Sequence, residues 1–148
     1  MKIEKISIQN FYSFKNASLD FQNYSGLTVI KGKNKDTGGS NGSGKSALVE
    51  ALYFGLSGKT IRKSTEDSLV NNQAKKNCVV KLSLTHNNEA VTIIRQKKPT
   101  KLEFFIGEDN RTKETVGVTQ IEIESFLNIN PKVLLASMFF GQPNDVNF

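Results

Sequence analysis

Polar and apolar positions alternate approximately along residues 2–9, where Ile3, Ile6 and Ile8 mark a β-rich run, and the pattern returns after a polar turn at Ala17 to Phe21. Two strands are predicted there. Leu27-Thr28-Val29-Ile30 is different: a short, unbroken, β-branched run of the kind buried on both faces of a parallel or mixed sheet. It leads into a glycine-rich loop from Gly32 to Gly44. From Ser46 to Leu56 the apolar residues Leu48, Leu52 and Leu56, flanked by Ala47, Ala51 and Phe54, recur on one helical face. The helix is expected to end near Gly55 or Gly58. Residues 57–77 are polar and basic and read as an excursion over the surface, in which Ser64-Thr65-Glu66-Asp67 offers a cap for a short turn containing Leu69 and Val70.

Two further β-rich runs, Val79 to Thr85 and Ala90 to Gln96, flank His86-Asn87-Asn88-Glu89, which suits a tight hairpin, and Leu102 to Ile106 extends the meander. Thr119 is the expected cap of a helix carrying Ile121, Ile123, Phe126 and Leu127. Asn130-Pro131 places a cap before a proline in the first position of a last helix, through about Phe139. With no repeat or internal linker in 148 residues, one domain is expected, of α/β class with an antiparallel meander beside the first helix.

The net charge of +6 and a pI near 9.4 suit a polyanionic partner. Basic residues gather at Lys59-Thr60-Ile61-Arg62-Lys63, at Lys75-Lys76, and at Arg95-Gln96-Lys97-Lys98 with Lys101. Such clusters on loops and hairpin ends are well placed for phosphate contact; Lys59, Arg62 and Lys63 are the DNA-contact candidates. The apolar runs fall short of the roughly 20 residues of a membrane span, and the first residues lack a signal peptide's apolar core, so a cytoplasmic protein without a membrane partner is expected. Cys78 and His86 stand alone, without metal-ligand spacing, and read as strand residues.

Gly39-Ser40-Asn41-Gly42-Ser43-Gly44-Lys45-Ser46 satisfies the phosphate-loop pattern in full, at the start of an amphipathic helix. Glycines let backbone N–H groups curl around phosphate oxygens, and the helix N-terminus, with Ala47 in its first turn, adds unpaired donors and partial positive charge. Lys45 is expected to reach the β- and γ-phosphates of ATP and the Ser46 hydroxyl to coordinate Mg²⁺.

The pattern alone does not choose among kinases, GTPases, transporters and repair ATPases. Taken together, the opening through Asn10-Phe11-Tyr12-Ser13-Phe14, then Asp20-Phe21, Leu27-Thr28-Val29-Ile30 and Asn41-Gly42-Ser43-Gly44-Lys45-Ser46, resemble the N-terminal ATPase lobe of the SMC/SbcC-like family. The likeness is greatest to the large subunits of recombination exonucleases. Gly58-Lys59-Thr60-Ile61-Arg62 and Ser137 to Gln142 fit the same family. The resemblance implies the N-terminal lobe of an ABC-type P-loop ATPase head. It implies that Asn10, Phe11, Tyr12 and Ser13 lie over the nucleotide's base and ribose, with core packing the other reading for Phe11 and Phe14, and that Gln142 binds Mg²⁺ and positions the attacking water. The implied partners are a second copy of the chain through the ATP site, the C-terminal half of the head, a nuclease subunit and double-stranded DNA.

This chain departs from the family in two places. Tyr12 stands where an arginine is common, which makes base stacking conceivable, and Gly32-Lys33-Asn34-Lys35-Asp36-Thr37-Gly38 lengthens the approach to the phosphate loop by about seven residues. That insertion either flanks the nucleotide or is a solvated bulge. The family's Asp-Glu strand end, its Ser-Gly-Gly signature and its coiled-coil heptads are absent from these residues. The expectation is therefore a piece of a longer ATPase and exonuclease subunit that by itself binds nucleotide with little turnover. Two other readings stand beside it: a DNA-tethering ATPase of the same family without a nuclease, and a small P-loop kinase.

Overall fold

The computed structural model describes residues 1–36, 38–39, 44–62 and 65–138, without the side chains of Glu66 and Met138. Among these residues the alternating runs form one antiparallel sheet from β1 (Lys2–Phe11), β2 (Phe14–Asp20), β3 (Cys78–His86), β4 (Glu89–Lys97), β5 (Lys101–Ile106) and β6 (Asp109–Asn110), in the order β2-β1-β3-β4-β5-β6. Antiparallel pairing requires only short connections. Between β3 and β4 the connection is two residues, Asn87 and Asn88, both left-handed at φ 50° and 65° as a primed hairpin turn demands.

Strand periodicity puts the apolar set on one face. Ile6, Leu82, Ile93 and Phe104 lie in one row across β1, β3, β4 and β5, and Ile8, Val80, Arg95 and Leu102 in the next. All except Arg95 are apolar, and every one of them is buried. Helix α1 (Lys45–Ser57) covers this face, with Leu48, Ala51, Phe54 and Leu56 buried against it. Gly55 does not end the helix. It sits inside it, where a Cβ would come within 2.7 Å of Leu82 Cδ1, so a bare backbone permits the close helix–sheet approach, and Gly58 is the cap instead.

Helix α2 (Val116–Leu127) packs Ile123 and Leu127 into the same core, and α3 (Pro131–Met138) lies against α1, where Tyr53 Oη donates to the carbonyl of Pro131 at 3.2 Å. The cap of α2 is Thr115, whose Oγ1 accepts from Val118 N; Thr119 is fully buried one turn later and accepts from Lys113 N. The helix begins earlier than its apolar spacing indicated because Val116 also packs on the core. Asn130 caps α3 as expected, its Oδ1 accepting from Lys132 N and Val133 N.

Leu27-Thr28-Val29-Ile30 is not a buried strand. Leu27 is 95% exposed, Val29 69% and Ile30 44%, and the run pairs with none of the described strands. A strand buried on both faces needs neighbours at both edges and cover above and below. The antiparallel sheet ends at β2 and supplies neither.

Candidate nucleotide site

Helix α1 opens on Gly44, whose φ of 86° is left-handed and whose Cα faces the Phe14 ring so closely that a Cβ would lie 2.6 Å from Cζ. Only glycine satisfies both conditions. Among the described residues no side chain caps the helix, and no carboxylate lies in its first turn. A helix N-terminus presents backbone N–H groups and the positive end of its dipole to an anion. Lys45 is half-buried, Ser46 exposed and Ala47 buried. An apolar groove of about 280 Å³ runs beside them, lined by Ile8, Phe14, Ile30, Gly32, Gly44 and Lys45.

The segment from Gly32 to Gly39 closes on itself. Asn34 N donates to Gly39 O at 2.7 Å, Gly38 N donates back to Asn34 O at 2.9 Å, and Asn34 Oδ1 accepts from Asp36 N. Backbone pairing of residues 34 and 39 brings Asn34 and Gly39 together. Lys33, Lys35 and Asp36 face solvent.

The turn between β1 and β2 carries Tyr12, half-buried, and Ser13, exposed. Phe11 is completely buried and meets Phe54 of α1, so it belongs to the core. Over the Tyr12 ring, 5.4 Å from its centroid, lies the Arg62 guanidinium. Arg62 is delivered there by Glu50, a carboxylate 2% exposed in the middle of α1, which accepts from Ile61 N at 2.6 Å. Burial raises the Glu50 pKa above the ordinary carboxylate range, opposed by the N–H groups of Ile61 and Arg62 and the charge of Arg62.

Of the residues singled out by sequence, Gly39, Gly44, Lys45, Ser46, Ala47, Tyr12, Ser13, Lys59 and Arg62 are described; Ser40, Asn41, Gly42, Ser43, Lys63 and Gln142 lie outside the described residues. Arg95 does not belong to a solvent-facing basic cluster: it is 5% exposed and turned toward α1. Its neighbours in sequence do face outward. The pairing of Cys78 with Lys97 and of Gln96 with Lys101, and the hydrogen bond from Asn77 N to Lys98 O, bring Lys75, Lys76, Lys97, Lys98 and Lys101 to one end of the sheet. Lys98 meets Asp67 at 3.8 Å and Lys101 meets Glu103 at 2.8 Å.

Cys78 is buried on β3, which pushes its thiol up to about 12 and leaves it unreactive. His86 packs edge-on against Phe126. Sequence reasoning overlooked Glu50, Asn71 and Gln120. An acidic residue on the apolar side of a helix marked Glu50, and the Asn71-Asn72-Gln73 turn after Leu69-Val70 marked Asn71; nothing local marked Gln120. Among the described residues no helix is long and apolar enough to cross a membrane.

A family model described as an AAA domain matches residues 5–147. The chain is 25% identical over 142 residues to a DNA double-strand break repair Rad50 ATPase of Saccharolobus solfataricus, covering 96% of this chain and 15% of that protein. To exonuclease subunit 2 of Enterobacteria phage T4 it is 30% identical over 106 residues, 71% of this chain and 18% of the relative. A DNA replication and repair protein RecF of Francisella tularensis is 28% identical over 135 residues, 88% of this chain and 36% of its own length. The chain therefore spans only a minor part of each of these relatives. Their descriptions agree with the resemblance to SMC/SbcC-like repair ATPases drawn from the residues.

Proposed function

The chain belongs to the AAA-domain family, and from that premise we propose that it is the ATP-binding N-terminal part of a DNA-repair ATPase. The observation that carries this is the start of α1: a left-handed Gly44, then Lys45 and Ser46, on a helix end that among the described residues has neither a side-chain cap nor a first-turn carboxylate. Backbone N–H groups of residues 44–47 and the Lys45 ammonium take the β- and γ-phosphates, and the Ser46 hydroxyl joins the phosphate oxygens in the coordination shell of Mg²⁺. Tyr12 and Ser13 border the base and ribose. Gln142 is assigned to the magnesium and the attacking water.

In this reading the site is half of a composite. The magnesium aspartate, the catalytic glutamate and the Ser-Gly-Gly signature come from the C-terminal half and from a second copy, so the chain alone binds ATP and turns it over slowly. The exposed run Leu27-Thr28-Val29-Ile30 is the segment that the C-terminal half covers; its exposure supports this arrangement. ATP-driven dimerisation then regulates a nuclease partner acting on DNA, a reading supported by the description of the phage relative as an exonuclease subunit. DNA contact extends from Lys59, Arg62 and Lys63 to the lysines gathered at the sheet end.

Titration with Mg-ATP and Mg-GTP tests the central claim. The parent chain is expected to bind with saturation and Lys45→Ala at least tenfold more weakly, roughly the loss of one charged phosphate contact. Equal affinity in the two would sink it.

A further inference from the structure

The turn between β1 and β2 holds an unfavourable backbone. Asn10 and Tyr12 are both left-handed, at φ 51° and 47°. Asparagine tolerates that region, but a tyrosine is rarely found there. The Tyr12 hydroxyl is in addition buried without a hydrogen-bond partner among the described residues. Such a conformation persists only where its surroundings over-determine it, and it points to a function for the residue so held.

Asn71 does most of the holding. It is 7% exposed, at the start of the largely solvated turn that follows the buried Leu69 and Val70. Its backbone N–H donates to Asn10 O at 2.9 Å and its Nδ2 to Tyr12 O at 2.6 Å, while its Oδ1 accepts from Gln73 N and Ala74 N at 3.0 and 3.1 Å. One side chain thus shapes its own loop with its oxygen and fixes the carbonyl of Tyr12 with its nitrogen. Tyr12 N completes the seam by donating to Leu69 O at 2.7 Å. The turn held in this way leads directly into Phe14, which lies against Gly44 at the start of α1, and the Tyr12 ring carries Arg62.

We propose that Asn71 is a positioning residue of the nucleotide site: its donation to Tyr12 O holds Tyr12, with Arg62 stacked upon it, as a rigid wall against the nucleoside part of a bound nucleoside triphosphate. The inference rests on the phosphate-loop reading above. Asn71 touches no ligand itself and acts only through the turn.

Asn71→Asp separates the two roles, since a carboxylate still accepts from Gln73 and Ala74 but cannot donate to Tyr12 O. Mg-ATP and Mg-tripolyphosphate, which lacks base and ribose, are titrated against parent and variant. Expected is a roughly tenfold loss for ATP, the scale of one lost hydrogen bond, with tripolyphosphate affinity and the circular dichroism spectrum unchanged. Tyr12→Gly, which relieves the left-handed strain but removes the ring that packs on Phe11 and carries Arg62, is expected to show the same loss for ATP alone. This variant decides the matter should Asn71→Asp fail to fold. Unchanged ATP affinity, or equal losses for both ligands, overturns the role of Asn71 while leaving the phosphate loop intact. A parent chain that binds neither ligand overturns the phosphate-loop reading and this inference with it.

Discussion

Arg95 on β4 donates from Nε to the carbonyl of Gly55, in the last turn of α1, at 3.3 Å. Its Nη2 donates to Gln120 Oε1, and the amide of Gln120 in turn donates to Leu56 O at 3.1 Å and to Glu124 Oε1 at 2.8 Å. The guanidinium also lies over the Phe54 ring. A cation and an amide therefore serve two carbonyls at the negative end of the helix whose positive end forms the candidate phosphate site. Arg95→Met, which keeps the volume and removes the donors, is expected to cost about 2–4 kcal/mol in denaturant unfolding. Arg95→Lys should recover little of this, because an ammonium lacks the planar fork that reaches both partners. A loss below about 0.5 kcal/mol would place Arg95 among ordinary surface positions.

Gly55 is expected to resist even alanine. The helix-propensity gain of up to ~1 kcal/mol is outweighed by the clash of a Cβ with Leu82, since overpacking costs about 1–3 kcal/mol. Leu82→Ala alone destabilises by about 2–5 kcal/mol. The double variant Gly55→Ala/Leu82→Ala should be more stable than the sum of the two losses, because the second truncation makes room for the first methyl. Strict additivity would show that the two residues do not press on each other.

Glu50 gives a pH dependence whose sign is fixed by its burial. Its folded-state pKa is raised, chiefly by desolvation, so the folded chain holds the proton more tightly than the unfolded chain does. That stabilising contribution is complete below the unfolded carboxylate pKa and is lost as pH rises through the raised folded value. Glu50→Gln retains an oxygen to accept from Ile61 N and cannot ionise. Relative to the parent, its melting temperature is expected to climb as pH rises above the ordinary carboxylate pKa of about 4.3, and a constant difference as pH rises would contradict the account.

The lysines at the sheet end make the DNA reading measurable. Lys75→Gln, Lys76→Gln and Lys98→Gln together are expected to weaken double-stranded DNA binding and to flatten its dependence on salt. If all three meet phosphates, the slope of log K against log[salt] falls by roughly 2–3. Unchanged slope and affinity would move the contact elsewhere, with Lys59 the next position to neutralise.

Local patterns in the sequence were enough to determine the elements themselves. Alternation located the strands around Ile6, Leu82, Ile93 and Phe104, Asn87-Asn88 the hairpin turn, Asn130-Pro131 the start of α3, and the phosphate-loop pattern the opening of α1. The caps, the turn and the helix opening rest on interactions within a few residues, and alternation follows from the two faces of each strand, so each signal lies within one stretch of chain. Tertiary structure decided the rest. Leu27 to Ile30 has every local mark of a strand, yet a strand exists only where an edge receives it, and none of the described strands does. Arg95 looked like one more surface cation, but strand parity turned it inward onto the end of a helix 40 residues earlier. Asn71 looked like loop filler, and its place depends on Tyr12, 59 residues away. A hydrogen bond between distant segments leaves no periodic trace in either, because only the folded register brings donor and acceptor within reach.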